Sequence, residues 1–493
     1  MRQNAHVLGP LQPPGSLAAT LATRLPGEGL GSAITEQLVA RLTGPHLRAI
    51  TALPDLPHPA VSRVPTGHPG EVRALVVAPD GSWLASAGAG EVRIWDPLTG
   101  APRDILTGHP GRVRSLVVAP DGSWLASAGS DREVRIWDPI TGTARHTLTG
   151  HTHGVSALMV APDGSWLASA DSGGEMRIWD PITGTARHTF SGHTRGVSAL
   201  ATAPDGSWLA SADRGGEVRI WDPVTGTAHR TLTGHTRGVP ELAVAADGSW
   251  LASAGYDGEV RIWDPITGTA IHTLTGHTSG LSAAAVTPDG SWLASGDTGG
   301  EVRIWDPVTG ATHGAFTGHT SGVRWLAVAP DGSWLASAGY DGEVGIWDSV
   351  TGTARHILTG HSGGVRSMVV APDGSWLASG GYDGEVRIWD PATGTAIHTL
   401  TGHPGGVSAL AVAADGSWLA SGDAGGEVRI WDPITGAALT SLRVAGRLFQ
   451  LLVTSTTIVA AGEGGLYFLA LCRDSASDRR LDRSAKVSRS QPN

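Results

Sequence analysis

The sequence predicts an all-β protein, a β-propeller built from repeated four-stranded sheets. A unit of 42 residues recurs nine times, with one residue missing from the first unit. Each unit opens with a Gly-His pair and reaches a Trp-Asp pair 27 or 28 residues after the His, and every unit carries Asp-Gly-Ser-Trp between the two pairs. A repeat of this length is one supersecondary element that cannot bury its apolar face alone, so neighbouring units must stack.

Each unit reads as four short strands separated by turns. In the unit that begins at His151, the strands are predicted at residues 155–161, 166–170, 175–180 and 185–190. The turn after the first strand is Pro-Asp-Gly-Ser, where Pro presets φ and Gly accepts a positive φ. The third strand alternates polar and apolar residues, as a half-buried strand should. Four antiparallel strands repeated at this period are typical of propeller blades.

The Gly-His and Trp-Asp pairs resemble those of WD-repeat proteins over roughly residues 63–444. In that family the His, a Ser or Thr of the second strand, an Asp of the following turn and the Trp form a hydrogen-bond network within each blade. The resemblance assigns this network to the following residues of the present chain: His151, Ser169, Trp179, His235, Ser253, Asp257, Trp263, His319, Ser337, Asp341, Trp347, His361, Ser379, Asp383 and Trp389.

The turn Asp varies between units. The units that hold it at the family's position carry Asp131, Asp257, Asp341 and Asp383. The units that hold it two residues earlier carry Asp171, Asp213, Asp297 and Asp423. The first unit has none. The sequence therefore predicts an incomplete network, and lower rigidity, in five of the nine blades.

The two ends of the repeat array are predicted to form one further blade. After the regular units at 66–444, residues 445–472 read as three more strands with no fourth. Residues 60–65 read as a strand just before the first Gly-His pair. We expect this strand to complete the last blade, which gives ten blades within 60–472 and removes two unpaired sheet edges. The alternative is a ring of seven or eight blades, with the surplus blades packed elsewhere or paired between chains.

The remaining segments differ from the repeat. Residues 1–59 are Pro-rich and predict two short helices, at 17–24 and 33–42, whereas the polar tail 473–493 is predicted to be disordered. We see no secretory signal and no apolar run that could span a membrane. The one cysteine, Cys472, excludes an intramolecular disulfide, and we expect a cytoplasmic protein. The excess of Arg over Lys with abundant Ala and Gly indicates a bacterial genome.

Composition and motifs argue against enzymatic and nucleic-acid functions. The net charge is −10, whereas a protein that coats nucleic acid is basic. The chain has no Walker A motif, no calcium loop and no His-Glu-x-x-His motif, so we predict a non-enzyme without cofactor. Sixteen of the 20 histidines recur once per blade, either in a Gly-His pair or in a fourth strand. That spacing favours structural or surface histidines over metal ligands.

The residues that vary between units are the candidates for partner binding. In the WD-repeat family, ligands often meet one face of the ring, three and five residues after the Gly-His histidine and just before the turn Asp. Arg and Tyr are enriched at binding hot spots, although any single one of these also fits an ordinary solvated loop. Trp325 occupies a strand position that holds Ala, Ser or Leu in other units. Either a local packing substitution or a surface anchor for a partner would explain it. The candidate face comprises Arg73, Arg112, Arg114, Arg214, Tyr256, Arg324, Trp325, Tyr340, Arg366 and Tyr382.

These features predict a non-catalytic scaffold for protein–protein interaction. Its closely similar blades suit a repetitive or oligomeric protein partner, which gains avidity by engaging several blades at once; we expect no nucleic acid or membrane partner, and the oligomeric state stays open. As an alternative, residues 8–21 resemble the linker that precedes WD repeats in bacterial signal-transduction ATPases with numerous domains, which implies a sensor propeller acting in trans. A third hypothesis, a small ligand in the central channel, has no sequence feature in its support.

Overall fold

The computed structural model describes residues 46–49, 68, 71–97, 101–453 and 457–472. Within these residues all the regular secondary structure is β, and forty strands form ten four-stranded antiparallel sheets. Each sheet is one blade of a propeller. The prediction of ten blades is therefore confirmed, and the alternative of seven or eight is wrong.

Blades 1 to 9 take their strands in chain order. Their first strands are β2 (Ala74–Val77), β6 (Val113–Val118), β10 (Val155–Val160), β14 (Val197–Thr202), β18 (Glu241–Val244), β22 (Leu281–Val286), β26 (Val323–Val328), β30 (Val365–Val370) and β34 (Val407–Val412). Their second strands are β3 (Leu84–Ala87), β7 (Leu125–Gly129), β11 (Leu167–Asp171), β15 (Leu209–Asp213), β19 (Leu251–Ala254), β23 (Leu293–Asp297), β27 (Trp334–Gly339), β31 (Leu377–Gly381) and β35 (Leu419–Asp423).

The outer halves of the same blades follow the same order. Their third strands are β4 (Glu91–Trp95), β8 (Val134–Trp137), β12 (Met176–Trp179), β16 (Val218–Trp221), β20 (Val260–Trp263), β24 (Glu301–Trp305), β28 (Val344–Asp348), β32 (Val386–Asp390) and β36 (Glu427–Trp431). Their fourth strands are β5 (Pro102–Thr107), β9 (Ala144–Leu148), β13 (Ala186–Phe190), β17 (Ala228–Leu232), β21 (Ala270–Leu274), β25 (Thr312–Thr317), β29 (Ala354–Leu358), β33 (Thr395–Leu400) and β37 (Ala438–Arg443). Blade 10 contains β38 (Leu448–Val453), β39 (Thr457–Gly462), β40 (Gly465–Cys472) and β1 (His46–Ala49).

The strand order gives the ring a centre, a rim and two faces. The first strands of neighbouring blades approach one another, so they lie nearest the centre, and the fourth strands lie at the rim. Because the strands alternate in direction, the turn between the first and second strands and the turn between the third and fourth strands lie at the same end of each blade. We call this end the lower face. The turn between the second and third strands and the Gly-His connection to the next blade lie at the upper face.

Each pair of neighbouring blades encloses one apolar cluster. Between blades 3 and 4, for example, Trp166, Ile178 and Phe190 pack with Leu209 and Trp221. The Trp of the Asp-Gly-Ser-Trp turn in one blade thus shares an interface with the Trp of the Trp-Asp pair in the next. Ten such clusters run around the ring, one at each interface. The constant spacing of the two Trp residues in the sequence follows from this shared packing.

Blade 10 packs against blade 1 and closes the ring. Val72 and Trp95 of blade 1 are buried in the same cluster as Val459, Leu466 and Phe468 of blade 10. The rings of Trp95 and Phe468 lie 5.2 Å apart, centroid to centroid. Phe468 stands where the regular blades hold the Ile of the third strand, because Val459 pairs with Phe468 as Ala168 pairs with Ile178.

The fourth strand of blade 10 is β1. It pairs antiparallel with β40, with His46 opposite Cys472 and Ala49 opposite Leu469. The sequence placed the closing strand at 60–65, which lies outside the described residues; the position beside β40 is held instead by His46–Ala49, inside the segment expected to be helical and Pro-rich. Strand pairing is a backbone interaction, and a strand of four residues is too short to show a clear alternation of polar and apolar residues in the sequence.

The other terminal predictions concern residues outside the described part of the chain. These are the helices at 17–24 and 33–42 and the polar tail at 473–493. Among the residues that the structure describes, no helix is long and apolar enough to cross a membrane.

Candidate functional site

A buried chain of hydrogen bonds runs through every regular blade. In blade 5, Trp263 Nε1 donates to Ser253 Oγ at 2.8 Å, and the Ser253 hydroxyl donates to His235 Nε2 at 2.8 Å. Because the Asp257 carboxylate beside Nδ1 can only accept, the ring proton of His235 lies on Nδ1, and Nε2 accepts the Ser253 hydroxyl proton. This Nδ1–H faces the carboxylate of Asp257, with both oxygens 3.0 Å away. The His–Ser and Ser–Trp bonds recur in all nine units, at 2.6 to 2.8 Å.

The aspartates that lie two residues earlier reach the same histidine atom. Asp171 Oδ2 lies 3.3 Å from His151 Nδ1, and the equivalent distances in blades 4, 6 and 9 are 3.4, 3.2 and 3.4 Å. Asp171 is fully buried at the end of β11, and its Oδ1 accepts the backbone N–H groups of Gly173 and Glu175. In these four blades the carboxylate thus approaches the histidine from the strand instead of from the turn. Only His151 hydrogen-bonds to it, because Nδ1 of His193, His277 and His403 is buried without a hydrogen-bond partner among the described residues. The predicted incomplete network therefore holds for blades 4, 6 and 9.

Blade 1 is the one regular blade whose histidine has no carboxylate partner in the described part of the chain. His68 Nε2 contacts Ser86 Oγ, but Nδ1 is buried without a hydrogen-bond partner. Burial, and then the nearby Arg93, lower the pKa of His68 to about 3. In six other blades burial also lowers the pKa of the equivalent histidine, while the facing Asp opposes the shift: His109, His151, His193, His235, His277 and His361.

Five of these blades bring His, Asp and Glu together closely enough to suggest a metal site. In blade 5 the ligand atoms of His235, Asp257 and Glu259 lie within 4.8 Å of one another. In blade 5 each of these three side chains already has a partner within the blade. Asp257 accepts the backbone N–H of Thr236 at 2.8 Å, and Glu259 binds the guanidinium of Arg261. The cluster is therefore satisfied as part of the frame, and we assign it no metal.

The ten candidate partner-binding residues are spread unevenly around the upper face. Arg73 lies in blade 1, where it pairs with Glu71 at 2.9 Å, and Arg112 and Arg114 lie in blade 2. Arg214 and Tyr256 lie in blades 4 and 5. The other five lie together in blades 7 and 8, and we call them the aromatic–arginine sector: Arg324, Trp325, Tyr340, Arg366 and Tyr382.

The sector is held in a fixed arrangement by its own contacts. The Arg324 guanidinium lies 5.5 Å from the centre of the Tyr340 ring, and its Nη1 donates to the Tyr340 hydroxyl at 2.6 Å. Arg366 lies over Tyr382 at the same distance in the next blade. Trp325 Nε1 donates to the backbone carbonyl of Arg366 at 2.8 Å and so links the two blades. The three aromatic side chains stay 43 to 51% exposed.

Sequence reasoning missed one member of this surface, Arg447 of blade 10. Burial, and then the positive charge of Arg447, lower the pKa of Arg366. Within the described residues no carboxylate forms an ion pair with Arg324, Arg366 or Arg447. Arg447 follows no Gly-His pair, so counting from a histidine could not find it. Beside the sector, a cavity of about 370 Å³ opens between blades 6 and 7, lined by Thr298 and Ser321 as well as Arg324, Trp325 and Tyr340.

Comparison with known protein families agrees with this geometry. The model of the "WD domain, G-beta repeat" matches the chain nine times, at 61–96, 100–138, 142–180, 184–222, 226–264, 268–306, 310–348, 352–390 and 394–432. The chain belongs to the WD-repeat family. WD-repeat propellers are generally non-catalytic scaffolds that bind protein partners.

Two individual likenesses are more limited. A stretch of 57 residues is 49% identical to the "Ribosome biogenesis protein erb1" of Aspergillus clavatus, and it covers 10% of this chain and 7% of that protein. The chain therefore spans only a small part of this curated relative. The crystal structure of the computationally designed Ika8 protein is similar over 66% of this chain and 99% of that chain, with 26% identity and a TM-score of 0.47.

Proposed function

We propose that this WD-repeat propeller is a multivalent protein-interaction scaffold and that a partner protein docks on the upper face, over the aromatic–arginine sector. The observation that carries the proposal is the ordered pairing of exposed aromatic rings with arginines in blades 7 and 8. Trp, Tyr and Arg dominate the energetics of protein interfaces. Because these side chains are already held by one another, docking orders few of them further.

The charges of the sector indicate the chemistry of its partner. The guanidinium groups of Arg324, Arg366 and Arg447 form no ion pair with a carboxylate in the described part of the chain. A partner surface that offers carboxylates beside apolar groups would pair with the guanidiniums and cover the rings. The candidate residues in other blades, such as Arg112, Arg114 and Arg214, lie outside the sector and would each add a further contact. A repetitive partner would therefore gain avidity by engaging several blades.

The alternative function, a sensor propeller of a signal-transduction ATPase system acting in trans, rests on the resemblance at residues 8–21. Those residues lie outside the described part of the chain. The sensor role, the bacterial origin and the cytoplasmic location therefore stay predictions. A neighbouring open reading frame that encodes a Walker motif, and whose product binds this chain, would support the sensor role.

The scaffold proposal is tested by affinity capture with the intact chain. The sector variant carries Trp325→Ala, Tyr340→Ala and Tyr382→Ala. The matched control is Tyr256→Ala, since Tyr256 holds the same turn position in blade 5 and is equally exposed, but no arginine lies over its ring. Proteins captured from a host lysate are quantified by mass spectrometry for the wild type and both variants.

We expect the wild type and the Tyr256 variant to capture the same partner, and the sector variant to lose it about tenfold or more. Circular dichroism and thermal melting verify that the sector variant folds. Equal capture by a folded sector variant would show that the partner docks elsewhere.

A further inference from the structure

The lower face carries a ring of exposed aliphatic side chains. They stand at one position of the turn between the third and fourth strands, directly after the Pro or Ser that follows the Trp-Asp pair. Seven of them are Ile or Val with 69 to 84% of their surface exposed: Ile140, Ile182, Val224, Ile266, Val308, Val350 and Ile434. Scattered exposed aliphatic residues are normal, but these seven recur at one turn position from blade to blade.

The turn itself does not require these side chains. Ala392 holds the same position in blade 8, and its N–H donates to Asp390 at 2.8 Å. The N–H of Ile140 donates to Asp138 at 2.9 Å in the same way. The aliphatic side chains are therefore free to serve a purpose other than folding.

A second ring, of carboxylates, lies nearer the centre of the same face. Each Asp of an Asp-Gly-Ser-Trp turn is exposed, and its Oδ1 accepts the backbone N–H two residues further on at 2.9 to 3.0 Å. In the described structure no Arg or Lys forms an ion pair with eight of them: Asp80, Asp121, Asp163, Asp205, Asp247, Asp289, Asp331 and Asp373.

The other acids of the lower face are partly neutralised. Asp138, Asp180 and Asp348 each pair with an arginine of the fourth strand in the same blade, at 2.6, 2.7 and 2.5 Å. Asp96 pairs with Arg103 in the same way at 3.2 Å, whereas Asp264, Asp306, Asp390 and Asp432 form no ion pair within the described residues. The negative charge of this face therefore comes from these unpaired acids and from the ring of Asp-Gly-Ser-Trp carboxylates.

An apolar groove completes the lower face at the centre of the ring. In blades 1 to 3 the lower ends of the first strands border a groove of about 400 Å³, lined by Val77, Pro79, Leu116, Val118 and Val160 among others. In blades 2 and 3 the face thus offers, from the centre to the rim, the apolar groove, then the carboxylates, then the aliphatic side chains of Ile140 and Ile182.

We propose that the lower face is a second docking surface, for a protein segment that carries basic side chains interspersed with aliphatic ones. The basic groups would meet the aspartate ring, and the aliphatic groups would cover the exposed Ile and Val side chains. A second copy of this chain docked through the same face would place carboxylates against carboxylates, so charge favours a basic partner. The proposal concerns the face opposite the aromatic–arginine sector and is independent of the function proposed above.

The probe for this surface is a fluorescent synthetic helix of Lys and Leu, titrated against the full chain. Two control peptides replace Leu by Ser or Lys by Glu. The apolar variant of the protein combines Ile140→Ser, Ile182→Ser, Ile266→Ser and Ile434→Ser. The charge variant combines Asp121→Asn, Asp163→Asn, Asp205→Asn and Asp247→Asn, which keep the oxygen that caps each turn. The sector variant described above, on the upper face, serves as the matched control.

We expect the Lys/Leu peptide to bind the wild type and the sector variant alike, and to bind the apolar variant about tenfold more weakly or worse. The charge variant should bind more weakly and with less dependence on salt. Unchanged binding to a folded apolar variant, or equal binding of the Glu/Leu peptide, would overturn the proposal. So would sedimentation that shows the wild type self-associating through this face, with the association lost in the apolar variant, because the occupant would then be a second copy.

Discussion

At the residue scale, the buried histidine of blades 2 to 9 has Nε2 bonded to Ser and Nδ1 facing a carboxylate, whereas Nδ1 of His68 in blade 1 has no hydrogen-bond partner in the described part of the chain. The sequence predicted this network from the family resemblance, and it also located all eight aspartates. It could not show that Asp171 and its equivalents serve the same histidine as the turn aspartates do. Whether a carboxylate two residues earlier reaches Nδ1 depends on how the second strand ends, and a spacing rule does not contain that geometry.

Replacing Asp171 by Ala should destabilise the propeller strongly. The change removes the acceptor of His151 Nδ1–H and of three backbone N–H groups, those of His153, Gly173 and Glu175. Leaving buried donors unpaired costs about 1–3 kcal/mol each, so we expect the free energy of unfolding to fall by about 3 kcal/mol or more. Asp163→Ala in the same blade is the control, since it removes one exposed turn hydrogen bond and should cost about 1 kcal/mol or less. Urea unfolding followed by tryptophan fluorescence compares the two, and similar losses would contradict this account.

His68 should make the stability of the protein depend on pH. Its pKa is about 3 in the folded chain, against 6.5 for an ordinary histidine. Between these pH values the unfolded chain binds a proton that the folded chain does not. The contribution of neutral His68 to the free energy of unfolding is therefore complete above about pH 6.5 and is lost as the pH falls towards 3. In His68→Gln, the slope of unfolding free energy against pH in this window should decrease by up to about 1.4 kcal/mol per pH unit.

The control for the pH experiment is His146→Gln, which changes a histidine outside the buried network. Urea unfolding is measured at several pH values from 7.5 downwards for the wild type and both variants, all chosen to lie above the range of general acid unfolding. A His68→Gln slope equal to that of the wild type would show that this histidine does not carry the effect.

At the element scale, the sequence predicted the strands of the regular blades because the same stretches and turns recur in every unit, including second strands such as β11 that are buried along their whole length. The closing strand β1 was missed because its pairing with β40 is a backbone feature of an edge. The histidines of the fourth strands were predicted to be structural or surface residues, and several of them bind the next blade. His146 Nε2 lies 2.8 Å from the carbonyl oxygen of Ile182, and the same contact recurs at His188, His272 and His398. Their partner lies 36 residues away, which a reading of one unit at a time cannot reveal.

Removal of β1 should open the ring at its closing blade. A chain that starts at residue 50 lacks the strand that pairs with β40, so an unpaired sheet edge is exposed to other chains. We expect this truncation to melt at a lower temperature and to aggregate on size-exclusion chromatography. A chain that starts at residue 46 keeps the strand and is the matched control. Equal melting temperatures and elution volumes for the two chains would show that β1 does not stabilise closure.

At the scale of the whole molecule, the repeat predicts the ring because its interfaces are nearly interchangeable. Residues of one blade meet the same residue types in every regular neighbour, as Trp208 meets Trp263 and Trp250 meets Trp305. Stability in such an array is approximately a sum of similar terms for units and interfaces. The sequence could therefore give the number of blades. It did not reveal the aliphatic ring and the carboxylate ring of the lower face, because both consist of turn residues that recur from unit to unit and read as ordinary turns.

Deletion of one complete unit should leave a closed ring of nine blades. Removing residues 235–276 joins Gly234 to His277, so that blade 4 meets Leu281, Leu293 and Trp305 in place of Val239, Leu251 and Trp263. The new interface keeps the same residue types, but the angle between neighbouring blades must be larger in a ring of nine than in a ring of ten. We therefore expect a lower melting temperature with a transition that is still cooperative. Removing residues 235–255 instead leaves β20 and β21 without their inner strands, and this chain should aggregate. Class-averaged electron micrographs count the blades, and aggregation of both deletions alike would show that the ring accepts only ten.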